Sequence, residues 1–598
     1  RDRCDTRGRF TPFSPRDKLT PSRRILLMRK GSLAPDASYE SKSQKSFCVD
    51  HASMSSDHGL DDDKWLRLSF PFPLPHVQRK REQDLDLHGQ RDSVPGRRTM
   101  RMIHFPLTLP TTDFPNQGQG QLSEFFVQRP IWAMEPCRTL YCAAFATYML
   151  CLYVPYKSVI NIPPCNRPRR SWTWKKAMLV SLIRRCTVFI CKTHILLTGQ
   201  PSEKPPKCTK SLYVHIDPQT VLSGSESEKP GDIRGELARA MKLQRIKPVC
   251  ISGFFVAAPD EPIPASDRAM PDERIIVHLH GGAYWMGTAN EKSPSAAFCR
   301  DLLRRLEGEK GMPQRAFLVE YRLARHGDYE HGSYPAALLD AFVAYLYLIR
   351  TCGFRPENII LSGDSSGGNL ALALCRYLRD EGVENVPGSL LLLSPWCDVS
   401  RSHSGPLPAP NPFSTTVLNN QSDVITASLL YRNSAVCPLL GRLPASETYK
   451  NPYISPVSLQ LDAQSGVYPP HWGFCGFPRH VFINTGRAEL NSEQHVTLAH
   501  RMAEGTVSGV PQYSGDCDYS EDRAHNMSWR DQFPRTKGWV SRHDSHVQRH
   551  ACDQRPLENR RVVLDEAIDG VHIYPFFLWF EPERSDTLDR IAAWIRAL

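Results

Sequence analysis

Four short segments of the 598-residue chain carry side chains suited to nucleophilic acyl transfer. The first is Gly363-Asp364-Ser365-Ser366-Gly367-Gly368, set between the apolar run Asn358–Ser362 and a helix-forming run that starts at Asn369. A serine flanked by glycines between a strand and a helix is a G-x-S-x-G nucleophile elbow. Gly363 and Gly367 permit the tight, strained turn that pushes the Ser365 hydroxyl out at a helix N-terminus, where the dipole and free N–H groups favour developing negative charge. The serine-protease motif GDSGG belongs to all-β barrels, and the helical run after Gly368 argues against it.

The second segment, His280-Gly281-Gly282-Ala283, follows the run IIVHL. Glycines there let backbone N–H groups approach a carbonyl oxygen, so Gly281, Gly282 and the amide of Ser366 are the expected oxyanion donors, with His280 and Asp364 as supporting residues of the two motifs. Tyr284 and Trp285 come next and are placed to wall a substrate pocket. A general base and an orienting acid complete such a site, in chain order serine, acid, histidine. The base candidate is His572 in Asp569-Gly570-Val571-His572. The acid candidate is Glu489, in the loop after the run HVFIN, and Asp569 is the rival.

These loops need a scaffold. Apolar runs at Ile275–Leu279, Ala316–Glu320, Asn358–Ser362, Ser389–Leu393, His480–Asn484 and Arg561–Asp565 alternate with amphipathic stretches near 294–305, 335–350, 367–380, 491–504 and 585–597. Alternation of this kind predicts an α/β fold with a mostly parallel sheet flanked by helices, whose chemistry collects at the C-terminal ends of the strands.

The chain is 41% hydrophobic and 23% charged, enough for a sizeable core, and its 49 prolines predict long stretches outside it. Residues 1–130 are rich in Pro, Ser and charge without periodicity and read as a disordered extension. The net charge of +11 is unevenly placed: residues 131–210 carry 13 basic and 2 acidic side chains, whereas 211–598 sum to −6. A nucleic-acid partner is therefore not expected. The 18 cysteines have no dense spacing, and the first 30 residues hold no apolar signal core, so a secreted disulfide scaffold is not expected either.

The run Thr139–Val154 is uncharged for 16 residues and is followed by Arg167, Arg169, Arg170, Lys175, Lys176, Arg184 and Arg185. Two readings stand: a helix packed on the catalytic domain, or a membrane contact through 139–185 with a basic flank drawn to anionic lipid. The expected location is the cytosol or the cytosolic face of an internal membrane such as the endoplasmic reticulum. Residues 131–250 thus read as a helical segment serving as anchor and cap, and 251–598 as the catalytic domain, with a further cap contribution from 400–470.

Within that domain Thr506–Arg560 is polar and lacks aliphatic periodicity, and removing it shortens the Glu489-to-His572 separation from 83 to 28 residues. It reads as an unstructured insertion. Its His543, His546, His550 and Cys552 lack a second cluster at ligand spacing, so no metal is expected.

Together HGGA, Tyr321-Arg322-Leu323-Ala324 with Tyr334-Pro335-Ala336-Ala337-Leu338, GDSSGG, Ser394-Pro395-Trp396-Cys397-Asp398, Asn451-Pro452-Tyr453-Ile454-Ser455-Pro456 and DGVH resemble the hormone-sensitive-lipase-like branch of the α/β-hydrolases. The likeness is greatest to fungal members, including steryl acetyl hydrolases, and covers about residues 155–505 and 561–598. Two positions depart from the family pattern, Ala283 where many members have glycine and Glu489 where many have aspartate. The resemblance implies an α/β-hydrolase fold with a cap, carboxylic-ester hydrolysis and no cofactor. The expected substrate is a small apolar ester with a short acyl chain. Two alternatives remain: a non-catalytic, hormone-receptor-like binding module, or an inactive product in which 506–560 keeps His572 from Ser365.

Overall fold

The computed structural model describes residues 131–195, 207, 208, 210–222, 231–404, 412, 414–431, 436–461, 473–516 and 557–598. The expectations for 1–130 and for His543, His546, His550 and Cys552 lie outside them.

Runs such as Ile275-Ile276-Val277 and Leu390-Leu391-Leu392-Leu393 have no polar face, so they are stable only where helices cover both sides of a sheet. Nine strands form that sheet: β1 Leu212–Ile216, β2 Ile251–Ala257, β3 Ile275–Leu279, β4 Arg315–Glu320, β5 Ile359–Asp364, β6 Ser389–Leu393, β7 His480–Gly486, β8 Gln512–Gly515 and β9 Arg561–Ala567. Their order is β1-β2-β4-β3-β5-β6-β7-β9-β8, with the β1–β2 and β2–β4 pairs antiparallel and the rest parallel.

The principal helices are α1 Cys137–Ile160, α2 Trp174–Thr193, α3 Gly235–Gln244, α4 Pro294–Leu306, α5 Ala336–Leu346, α6 Ser366–Glu381, α7 Ser492–Ala503 and α8 Glu583–Arg596. Alternate strand residues face opposite layers. Ile276, Leu318, Ile360 and Leu391 pack with α4 and α8, while Val277, Phe317, Leu361 and Leu390 pack with α5 and α6. The six predicted strands are all present, and β3 to β7 and β9 carry the motif loops at their C-terminal ends.

Two boundaries are corrected. β1 lies in the segment read as helical, so the sheet begins before residue 251. β8 lies within the predicted insertion and pairs with β9 from Gln512↔Val563 to Gly515↔Glu566. Thr506 bridges Glu558, and Arg560 is buried, donating to the Met502 carbonyl at 3.0 Å. Residues 506–516 and 557–560 therefore belong to the fold, and of the expected insertion 517–556 lies outside the described residues.

The basic flank divides between side chains engaged by the protein and side chains left exposed. Arg167 donates to the carbonyls of Asn161 and Trp172, Arg169 to that of Arg487, Lys176 pairs with Glu583, and Arg184 donates to the Ile425 carbonyl. Those charges hold α2 and its approach to the body of the protein. Arg170 and Lys175 remain exposed.

Candidate active site

At the end of β5 the chain turns into α6 through Ser365 at φ 51° and ψ −117°, a conformation that costs a non-glycine residue on the order of 1–3 kcal/mol. Its neighbours hold it there. The Ser365 N–H donates to the Leu393 carbonyl at 3.0 Å, and its carbonyl accepts from the Trp396 N–H at 2.8 Å. The flanking glycines are required by space: a Cβ on Gly367 would stand 1.9 Å from the Leu279 carbonyl oxygen, and one on Gly363 2.3 Å from that of Gly367.

Ser365 Oγ lies 2.9 Å from His572 Nε2, and His572 Nδ1 lies 3.0 Å from Glu489 Oε2. The predicted nucleophile, base and first-choice acid thus form one hydrogen-bonded chain from the ends of three strands, and the sequence 506–560 does not keep His572 from Ser365. The other Glu489 oxygen accepts from the Gly486 N–H at 2.6 Å and from the hydroxyls of Thr485 and Ser394, each at 3.1 Å. Burial pushes the Glu489 carboxyl up, but His495, His572 and the Gly486 N–H outweigh it and hold the group below its usual range. For His572, burial opposes protonation, yet the hydrogen bond and charge of Glu489, with Asp423 and Asp364, lift the imidazole above its ordinary value of 6.5.

Asp569, the rival acid, is half-buried, and its carbonyl accepts from Trp172 Nε1 at 3.2 Å. The Nδ1 partner of His572 is Glu489.

Asp423 is the functional residue that sequence reasoning missed. Its Oδ1 accepts from the His572 N–H at 2.9 Å and its Oδ2 from the Leu490 N–H at 2.7 Å, so one carboxylate ties the histidine loop to the acid loop. Burial raises its pKa to about 6. Neighbouring side chains extend the clasp: Asn419 donates to the carbonyls of Arg487 and Glu489, and Ser422 to that of Ala488. The sequence NNQSDVIT offers only a polar run before two apolar residues, a pattern without catalytic spacing.

The oxyanion expectation is corrected at Gly281. Its N–H donates to Asp364 Oδ1 at 2.9 Å, and a Cβ there would stand 2.2 Å from Asp364 Oδ2, so this glycine locks the loop to the elbow and has no amide to spare. The N–H groups of Gly282 and Ser366 have no protein acceptor among the described residues. His280 stacks on Tyr321 at 4.2 Å, and burial lowers its pKa to about 4, so it is a neutral support of the loop.

Ala283 and Tyr284 both have positive φ, 52° and 64°, strained values at a position where a glycine would relax the chain. Tyr284 is buried, donates to Asn369 Oδ1 at 2.7 Å, and lines a cavity with Tyr334, Leu338, Leu439 and Tyr453. Trp285 is buried beside His194, with ring centroids 6.1 Å apart, and does not border that cavity. Among the described residues no cluster of His, Cys, Asp and Glu is arranged to hold a metal ion.

With this geometry the fold and motif order define an α/β-hydrolase domain. Residues 276–511 match the family described as alpha/beta hydrolase fold. Similar proteins include one provisionally named acetyl-hydrolase LipR from Mycobacterium tuberculosis, 34% identical over 27% of this chain and 46% of its own length. Steryl acetyl hydrolase 1 of Saccharomyces cerevisiae is 28% identical over 22% of this chain and 28% of its own length. Hormone-sensitive lipase of Mus musculus is 29% identical over 24% of this chain and 17% of its own. The chain spans less than half the length of each of these relatives.

Proposed function

We propose that the protein is a serine carboxylic-ester hydrolase acting on a small apolar ester with a short, acetyl-type acyl group. One observation carries the reading: the unbroken chain Ser365 Oγ, His572, Glu489, with contacts of 2.9 and 3.0 Å on a strained elbow. Ser365 Oγ attacks the ester carbonyl as His572 Nε2 takes its proton. The amides of Gly282 and Ser366 receive the negative charge that develops on the carbonyl oxygen. As the tetrahedral species collapses, the ester C–O bond breaks and His572 returns the proton to the leaving alcohol. Water, deprotonated by the same imidazole, then cleaves the acyl-serine and regenerates the site. Glu489 fixes the imidazole tautomer throughout. The acetyl-hydrolase names of two relatives support the choice of acyl group. Such chemistry involves no cofactor.

The test is hydrolysis of a p-nitrophenyl ester series of increasing acyl length. Ser365→Ala should lower kcat by about 10⁴-fold or more in a folded protein. Glu489→Gln should lower it by on the order of 10³–10⁴-fold, and Asp569→Asn by less than about 3-fold. A large effect of Asp569→Asn with a small one of Glu489→Gln would overturn the acid assignment, and a preference for long acyl chains would overturn the substrate class. Because Glu489 and Asp423 raise the histidine pKa, the acid limb of kcat/KM should lie above pH 6.5, and it should move to lower pH in Glu489→Gln.

A further inference from the structure

Helix α1 is 24 residues long, and its most apolar 18-residue stretch has a mean hydropathy of 1.3, yet only 6% of that stretch is buried. Among the described residues ten of the twenty exposed large hydrophobic side chains fall between Ile131 and Trp174. Leu140, Leu150, Leu152, Tyr156 and Val159 are each more than half exposed on its outward side. A soluble monomer rarely leaves a continuous apolar ridge of this kind to water.

The inward side is occupied. Phe145 stacks on Phe189 of α2 at 4.3 Å, Tyr153 donates to the Ser181 carbonyl at 3.1 Å, and the Arg185 guanidinium lies 5.0 Å from the Tyr153 ring. Beyond the helix, Trp174 Nε1 donates to the Ser158 carbonyl at 2.9 Å. Since α2 is itself held to the body by Lys176–Glu583 and by Arg184, α1 could cross a bilayer only by breaking these contacts or by drawing Arg184 and Arg185 into hydrocarbon. Exposed aromatic rings, Trp132 at one end and Tyr156 and Trp174 at the other, mark the ends of the ridge, as in a helix lying at a membrane interface.

We infer that α1 is a single-leaflet membrane contact: it lies along the surface with its outward ridge in the acyl region of an anionic bilayer and does not span. Charge distinguishes lipid from a second copy of the chain as the occupant. Exposed Arg170 and Lys175 flank the ridge, so two such faces would bring like charges together, whereas the same pair suits anionic headgroups.

The C-terminal cap of α2 gives the contact a direction. His194 stacks on His326 at 4.7 Å and neighbours Trp285, just past the oxyanion loop. Phe189, which receives Phe145 and Tyr141 of α1, is one turn earlier, so the Trp132 end of the ridge lies toward that loop.

The inference is independent of turnover and is tested by binding. Purified full-length protein is mixed with phosphatidylcholine vesicles, with and without phosphatidylserine, and sedimented. Replacing Leu140, Leu150 and Leu152 together by Ser should weaken binding more than about 100-fold. Replacing Arg170 and Lys175 by Gln should lower only the phosphatidylserine-dependent part, about 5-fold per charge. Cys151, exposed on the outward side, should lose maleimide labelling on vesicles while exposed Cys165 keeps it. Topology is read from chain synthesised with sealed microsomes: an impermeant maleimide should reach Cys165 and a Glu135→Cys variant alike, with labelled sites mapped by peptide mass. Tagging of only one of the two until detergent is added would show a spanning helix. Absence of vesicle binding, or self-association abolished by the triple Ser variant, would show another occupant, and any of these results overturns the proposal.

Discussion

Two helical stretches of 24 residues, Cys137–Ile160 and Tyr329–Cys352, each hold an 18-residue window of mean hydropathy 1.3, and the fates of those windows are opposite: 6% of one is buried against 94% of the other. Apolarity therefore does not decide where a helix goes. The second is enclosed because the strand it follows, β4, and the helix it meets, α6, both present apolar faces. Phe342 packs edge-on to Tyr377 of α6, with ring centroids 5.0 Å apart. The first has a partner on one side only, α2, whose other face is already committed to the clasp around Asn420, Val424 and Ile425.

The largest effect that this contrast predicts is on stability. Phe342→Ala should cost about 3–5 kcal/mol in urea unfolding, because it opens a cavity under the helix that carries Ser365 at its start. A cost below about 1 kcal/mol would break the comparison. Asp423→Asn should come next, lowering kcat about 10–100-fold with a smaller change in KM. An amide cannot accept from all the N–H groups that the carboxylate now faces, so the acid and histidine loops lose their common tie. The acid limb of its kcat/KM profile should also shift down, since one negative charge beside His572 is gone. The smallest effect belongs to Leu150→Ala, which should change unfolding free energy by less than about 0.5 kcal/mol in aqueous buffer. A large loss there would mean that α1 is packed in solution, and the two helices would no longer differ.

What was legible in the sequence divides along the same physical line. Strands β3 to β7 and β9 were readable because burial on both faces leaves unbroken apolar runs, and the elbow because its glycines answer a local steric demand. The pairing of Ser365, His572 and Glu489 followed from chain order and loop position. Three things depended on the third dimension. Asp423 acts by joining residues 490 and 572, which no spacing near 423 reveals. Gly281 spends its amide on Asp364, a carboxylate 83 residues away. The basic residues 167–185 looked like a lipid-attracting flank, yet Arg169, Lys176 and Arg184 meet carbonyls and a carboxylate of distant loops.

Strand β8 has a consequence of a different kind. It is four residues long, ends in Gly515, and forms the outer border of the sheet beside β9. Without it the backbone of Arg561–Ala567, with Val562, Val563 and Leu564 on its two faces, would present a row of unpaired amides and carbonyls that an identical molecule could match. A short border ending in glycine offers far less to such a match. β8 thus covers an edge that would otherwise be open, and removing Thr506–Arg560 should be felt first as aggregation, before any question of catalysis arises.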